Sequence, residues 1–185
     1  MTDLISIQSI QKLQALQIRE TQQEILALNE ELAEHALVLT AAEAMELAET
    51  RTKSLRDNGC VEIGGGALLK IIRKFSASEY VDRQNFAPIL HELTELFYYM
   101  KSETMDKIHD NVLIDTLFSL FETTCNGDIT LLCEREADLL LRYFNSGRLK
   151  DKKREYHRGE TSPYELEKED DYSVSPSDLS VDNEE

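Results

Sequence analysis

Apolar residues recur at helical spacing through most of the chain, and each recurrence is closed by a polar or glycine-containing stop. From Leu4 to about Glu34 the sequence is rich in Gln, Glu, Ala and Leu and free of Gly and Pro, the composition of a long helix. Ile7, Ile10, Ile18, Ile25, Leu28 and Leu32 share one face, but Gln14, Gln17 and Thr21 interrupt it. Such a broken seam predicts either two shorter helices or one helix that packs only at its ends. It suits an amphipathic helix lying on its own domain better than a coiled-coil or partner-binding arm.

Thr40-Ala41-Ala42-Glu43 reads as a capping box, in which Thr40 and Glu43 satisfy each other's free amides. With Ala44, Leu47, Ala48, Arg51 and Leu55 on one face and Asn58-Gly59 as a left-handed stop, it predicts a helix over 41–57. Cys60 to Ile63 is too short and isolated for a sheet strand, so it reads as an extended link. Gly64, Gly65 and Gly66 then precede a helix with Leu68, Ile71, Ile72 and Phe75 inward, closed by Ser76-Ala77-Ser78. Pro88 favours Asn85 over Asp82 as the next cap, and Ile89, Leu93, Leu96, Phe97 and Met100 make a buried stripe to about Ser102. Asp110 is expected to cap a helix carrying Leu113, Ile114, Leu117, Phe118 and Phe121. A last helix runs from Ile129 to Phe144, stopped by Asn145-Ser146-Gly147.

The pattern predicts an all-α, compact bundle of five to six helices with a Gly-rich junction, a long N-terminal helix and a disordered acidic C-terminal tail. In domain terms it gives a helical arm over 1–35, a helical core over 36–147 and a basic-then-acidic tail over 148–185. Charge sharpens the tail: the chain carries 36 acids against 20 Lys and Arg, a formal −16, of which residues 160–185 supply −9 from ten acids and one base. With little apolar surface to bury, ordering that segment brings little return. An acidic chain repels phosphate backbones, so general nucleic-acid binding is disfavoured. The basic cluster Arg148 to Arg158 reads as a solvated linker facing the acidic tail.

Cys60, Cys125 and Cys133 are odd in number and form no Cys-x-x-Cys pair, which argues against a disulfide framework or zinc ribbon and fits reduced thiols in a cytoplasmic protein. No signal pattern opens the sequence, and no apolar run reaches the ~20 residues that span a bilayer. No membrane association is expected.

The candidate chemistry centres on the glycines. A helix N-terminus with bare amides is an anion site in general, which makes Gly64–Gly66 with Arg51, Glu62 and Lys70 a candidate ligand site. Against this, Lys70 is not in a Gly-Lys-Ser/Thr arrangement, and a close-packed backbone crossing accounts for the glycines without a ligand. Glu49, Arg51 and Glu62 are charged residues beside apolar ones, better read as a structural ion pair fixing the link than as a pocket floor. His91 and Glu95 share a helical face, but the His-Glu-x-x-His signature fails, so no metal is expected. Tyr80, Tyr98, Tyr99 and Lys101 offer a partner surface, because adjacent Tyr98 and Tyr99 point about 100° apart and at least one can be exposed.

Glu49-x-Arg51, Leu55, Val61-Glu62-Ile63-Gly64-Gly65-Gly66, Tyr80, Phe97-Tyr98-Tyr99-x-Lys101-x-Glu103, Asp110 and Cys125-x-Gly127 together carry a resemblance. Over roughly residues 36–133 the chain resembles an uncharacterised family of small Gram-positive bacterial proteins, a domain of unknown function, usually with Phe where this chain has Ile63. The resemblance implies a cytosolic helical module, often encoded beside a larger uncharacterised protein, and supplies no catalytic residue.

No acid, base and nucleophile set stands at a usable spacing, so no enzyme and no cofactor are expected. The sequence reading is a non-catalytic protein-interaction module acting with a protein partner; the alternative is a small-molecule or anion sensor at Gly64–Gly66.

Overall fold

The computed structural model describes residues 2–62 and 64–145, which fall within one compact unit. The elements are α-helical: α1 (Thr2–Ala27), α2 (Asn29–Leu32), α3 (Ala41–Asp57), α4 (Gly66–Phe75), α5 (Phe86–Glu103), α6 (Asp110–Thr123), α7 (Ile129–Leu131) and α8 (Ala137–Asn145). No strand occurs among the described residues. The tail expected over 148–185 and the stop at Ser146-Gly147 lie outside the described residues, as does Ile63.

α5 is the central rod. It buries Phe86, Ile89, Leu90, Leu93, Thr94, Leu96, Phe97, Tyr98 and Met100, on most of its circumference, because α3, α4 and α8 all pack against it. The five-residue stripe seen in the sequence is therefore one side of a helix surrounded by others. α6 lies on α4, where Phe75 meets Phe118 and Phe121 edge-on at 5.3 and 5.4 Å.

The long N-terminal helix breaks once. α1 ends at Ala27, Leu28 is a turn, and α2 runs through a 3₁₀ turn (Ala33–His35) into Ala36 at φ +57°. Asn29 donates to the Leu39 carbonyl and accepts from its amide, both at 2.9 Å, which ties the following link to the helix break. Thr21, Ile25, Leu28 and Leu32 are buried and α1 packs on α3, whereas Gln11 to Gln17 are exposed, Leu13 and Leu16 included. Among the residues of α1 whose side chains are described, packing begins in its C-terminal part.

The capping box forms as expected: Thr40 Oγ1 accepts from the Glu43 amide at 3.2 Å and Glu43 Oε2 from the Thr40 amide at 2.7 Å. Glu43 also receives Arg83 at 2.9 Å, and chiefly for that reason its carboxyl pKa falls from 4.5 to about 2. A depressed carboxyl adds stability above its unfolded value and loses it as pH falls through the folded value. The Glu43 contribution is thus expected to fade between pH 4.5 and about 2. An NMR titration of the Glu43 carboxyl checks this, with Arg83→Ala returning the midpoint toward 4.5.

Two expected caps differ. Asn85 occupies the N-cap of α5, but its side chain accepts from the Asp82 amide (2.8 Å) and donates to the Tyr80 carbonyl (3.0 Å), so it closes the preceding turn instead. At α6 the cap is His109, whose Nδ1 accepts from the Asn111 amide at 3.3 Å, because Lys101 engages the Asp110 carboxylate.

The last helix carries a π-helical turn over Leu132–Glu136 between α7 and α8. A π turn shifts the helical register by one residue, and Leu132, Ala137, Leu140 and Leu141 are buried along this helix.

Candidate functional site

The Gly64–Gly66 junction is a seat for two carboxylates of the chain itself. Glu62 Oε1 accepts from the Ala67 amide at 2.7 Å, in the first turn of α4, so the chain's own carboxylate satisfies the helix N-terminus. Its Oε2 accepts from Arg51 Nη2 (3.0 Å) and Nε (3.2 Å) and from the Tyr98 hydroxyl. Arg51 is 4% exposed and its Nη1 reaches Thr21 on α1 at 3.5 Å. Thr21, which interrupts the apolar seam of α1, therefore serves a buried cation.

The glycines follow from this arrangement. Gly64 and Gly66 hold φ of +67° and +46°. A Cβ on Gly66 would overlap the Glu62 carboxyl group, and one on Gly65 would come within 2.6 Å of Glu24 Oε2. Glu24, from α1, thus joins Glu62 at the junction; its Oε2 is buried without a hydrogen-bond partner among the described residues. Nothing in the local sequence around Glu24 marks it, because its neighbour Gly65 is 41 residues away.

Burial, then the adjacent Glu62 charge, raises the Tyr98 pKa well above the ordinary phenol value, so its hydroxyl stays a donor. At 1% exposure, Tyr98 belongs to the floor of the network, whereas Tyr99 is the exposed partner of the pair at 42%. Glu49 and Lys70 are both exposed and take no part in the Arg51–Glu62 pair. Tyr80 is half-buried against Phe121, ring centroids 6.3 Å apart, and its ring occupies the space a Cβ on Gly127 (φ +82°) would need. It packs the Cys125-x-Gly127 turn and lies apart from Tyr98.

Above the Glu62–Tyr98 floor opens a cleft of about 480 Å³ lined by residues 55, 58–62, 98, 101, 102, 105, 106 and 110. Two helices stop there in the same way. At the end of α3 the Cys60 amide bonds the Leu55 carbonyl (2.8 Å) and the Gly59 amide bonds Arg56 (3.2 Å), with Gly59 left-handed. At the end of α5 the Asp106 amide bonds Lys101 and the Met105 amide bonds Ser102, both at 2.9 Å. Here the left-handed positions are Met105 (φ +51°) and Asp106 (φ +53°). Lys101, over the Phe97 ring at 5.8 Å, pairs with Asp106 at 2.6 Å and with Asp110. Burial opposes the lysine charge, but the hydrogen bonds to Asp106 and Asp110 outweigh it and raise its pKa. The cleft brings together Glu62, Tyr98 and Lys101; it leaves out Gly64–Gly66, Glu49, Lys70, Tyr80 and Tyr99. Met105 and Asp106, which the sequence reading passed over, form its rim.

His91 and Glu95 turn to α3 instead of to one another: His91 Nδ1 pairs with the Thr50 hydroxyl at 2.8 Å, and Glu95 with Lys53 at 3.4 Å. No group of three or more His, Cys, Asp or Glu is placed to hold a metal among the described residues. Cys60 and Cys133 are in no disulfide among the described residues. Burial, followed by nearby carboxylates such as Glu92, pushes the Cys133 thiol up to about 11, and burial also raises Cys60, so neither is an activated nucleophile.

Residues 24–150 match the description of a family of unknown function, DUF6323. The chain belongs to that family. The DUF6323 match starts in α1 at Glu24, the carboxylate beside Gly65, and so takes in the last four residues of that helix and the break after it, which the resemblance over 36–133 left out. No curated protein and no solved structure matches the chain. Among its described residues this DUF6323 member has no helix long and apolar enough to cross a membrane.

Proposed function

We propose that the chain is a non-catalytic helical module that binds a protein partner across the cleft between the ends of α3 and α5. The observation that carries the reading is Met105: 69% exposed, and held at φ +51°, where a side chain costs about 1–2 kcal/mol over glycine. Across the cleft Val61 is 96% exposed. Large apolar groups that return no packing to their own fold, one of them in a strained backbone, fit a surface kept for another molecule. Resemblance to a Gram-positive bacterial family extends the proposal to a cytoplasmic role beside a larger co-encoded protein. The anion-sensing alternative is weaker, because a ligand at Gly64–Gly66 would have to displace Glu62 from Arg51, Tyr98 and the α4 amide.

Met105→Gly tests the reading. Relief of left-handed strain, less the added chain entropy of glycine, is expected to raise stability by about 0.5–1 kcal/mol, a Tm increase of about 1–4 °C. Co-purification followed by mass spectrometry should recover a protein on the native chain and lose it on the variant. A stabilised variant that keeps the partner, or a native chain that recovers none, contradicts the proposal.

A further inference from the structure

Resting on the interaction reading above, we infer that the cleft receives a basic side chain of the partner, a guanidinium or ammonium carried on an apolar stem. Three features of the cavity select that chemistry. Lys101 sits between two carboxylates, Asp106 and Asp110, so this group keeps one uncompensated negative charge, while Glu62 is matched by Arg51. The C-termini of α3 and α5 both end at the cleft, each with the negative end of its helix dipole, about half a charge, against a single positive end from α6 at Asp110. The walls that an entering stem would touch are apolar: Leu55, Val61 and Met105.

The volume, about 480 Å³, lies within the ordinary range for binding cavities. An anion would face the same excess charge and the net negative end of three helix termini, two C-terminal against one N-terminal, and a purely apolar group would desolvate the Asp106 carboxylate for nothing in exchange. At long range the formal charge of −16 draws a basic partner toward the chain.

The test uses the full chain and three small probes with a short alkyl stem of three or four carbons: butylguanidinium, butanol and butyrate. In ¹⁵N-resolved NMR titrations butylguanidinium is expected to move the Gly59, Cys60, Lys101, Met105 and Asp106 amides saturably, with a Kd on the order of 10 mM. Butanol and butyrate should not. Asp106→Asn removes the excess charge while keeping a residue that tolerates the left-handed backbone, so it leaves the fold intact. It should weaken butylguanidinium by about threefold or more, an effect that shrinks in high salt. It should also weaken partner recovery.

Equal binding of butyrate, shifts that never saturate, or an unchanged Asp106→Asn variant overturns the inference. If the cation probe stays silent while the partner is recovered and Met105→Gly releases it, only the basic-residue assignment falls. If the probe binds but the native chain recovers no partner, the interaction reading fails, and with it the assignment of the cation to a partner side chain.

Discussion

Glu62→Ala is expected to lower the unfolding free energy by about 3 kcal/mol, the low end of the range for breaking one side of a buried ion pair, because Glu62 keeps 18% of its side chain exposed. The loss is large because a single carboxylate closes four separate demands. It neutralises Arg51, which is 4% exposed and whose further hydrogen bond among the described residues goes to Thr21. It accepts two hydrogen bonds from that guanidinium, one from Tyr98 and one from the α4 amide at Ala67. Removing it leaves a buried cation, a buried phenol and a helix terminus without acceptors. Urea unfolding should show the midpoint fall with little change in slope, and Tm should drop by roughly 6–12 °C. Arg51→Met is expected to be milder than Arg51→Ala, since a flexible apolar chain fills part of the volume while Glu62 keeps its other donors. A Glu62→Ala protein within about 0.5 kcal/mol of the native chain would mean that the network carries no load.

Gly66→Ala is the second large effect. Its φ of +46° alone costs an alanine about 1–2 kcal/mol, and the added methyl would occupy the place of the Glu62 carboxyl group. Because three elements hold that carboxylate, it cannot swing aside without breaking the pair described above. The combined expectation is a loss of about 4 kcal/mol, measured by the same urea titration. Gly59→Ala is the control. Gly59 is also left-handed, at φ +65°, but a Cβ there meets nothing within 4 Å, so only the backbone cost of about 1–2 kcal/mol should appear.

The fold was legible because local chemistry and tertiary packing agree at most helix ends. The Thr40/Glu43 box, the Gly59 stop and the inward sets of α4 and α5 are all set by residues within a few positions of one another. Departures arose where a residue of the preceding turn or helix competed for the side chain expected to cap. Lys101 takes Asp110 away from its capping role, and the Tyr80–Asp82 turn takes Asn85. The π turn at Leu132–Glu136 shifts the register of the last helix, which periodicity alone does not reveal.

The candidate site was legible in part. The Arg51–Glu62 pair and the crowding at the glycines follow from charged residues beside apolar ones and from three consecutive glycines. Glu24 did not, because its role depends on α1 crossing the junction. Lys101 stood out only as one of a tyrosine-rich set. The rim residues Met105 and Asp106 lie in a polar-looking loop, and their significance is conformational: a positive φ on non-glycine residues leaves no signature in the sequence.

The most direct measurement of the whole account is a double-mutant cycle between Glu62→Ala and Gly66→Ala, each species unfolded in urea. If the glycine exists to make room for the carboxylate, Gly66→Ala should cost about 4 kcal/mol in the native chain but only about 1–2 kcal/mol once Glu62 is alanine, a coupling of about 2 kcal/mol or more. Costs that add within about 0.5 kcal/mol would show that the two residues do not meet, and the carboxylate-seated junction would be wrong.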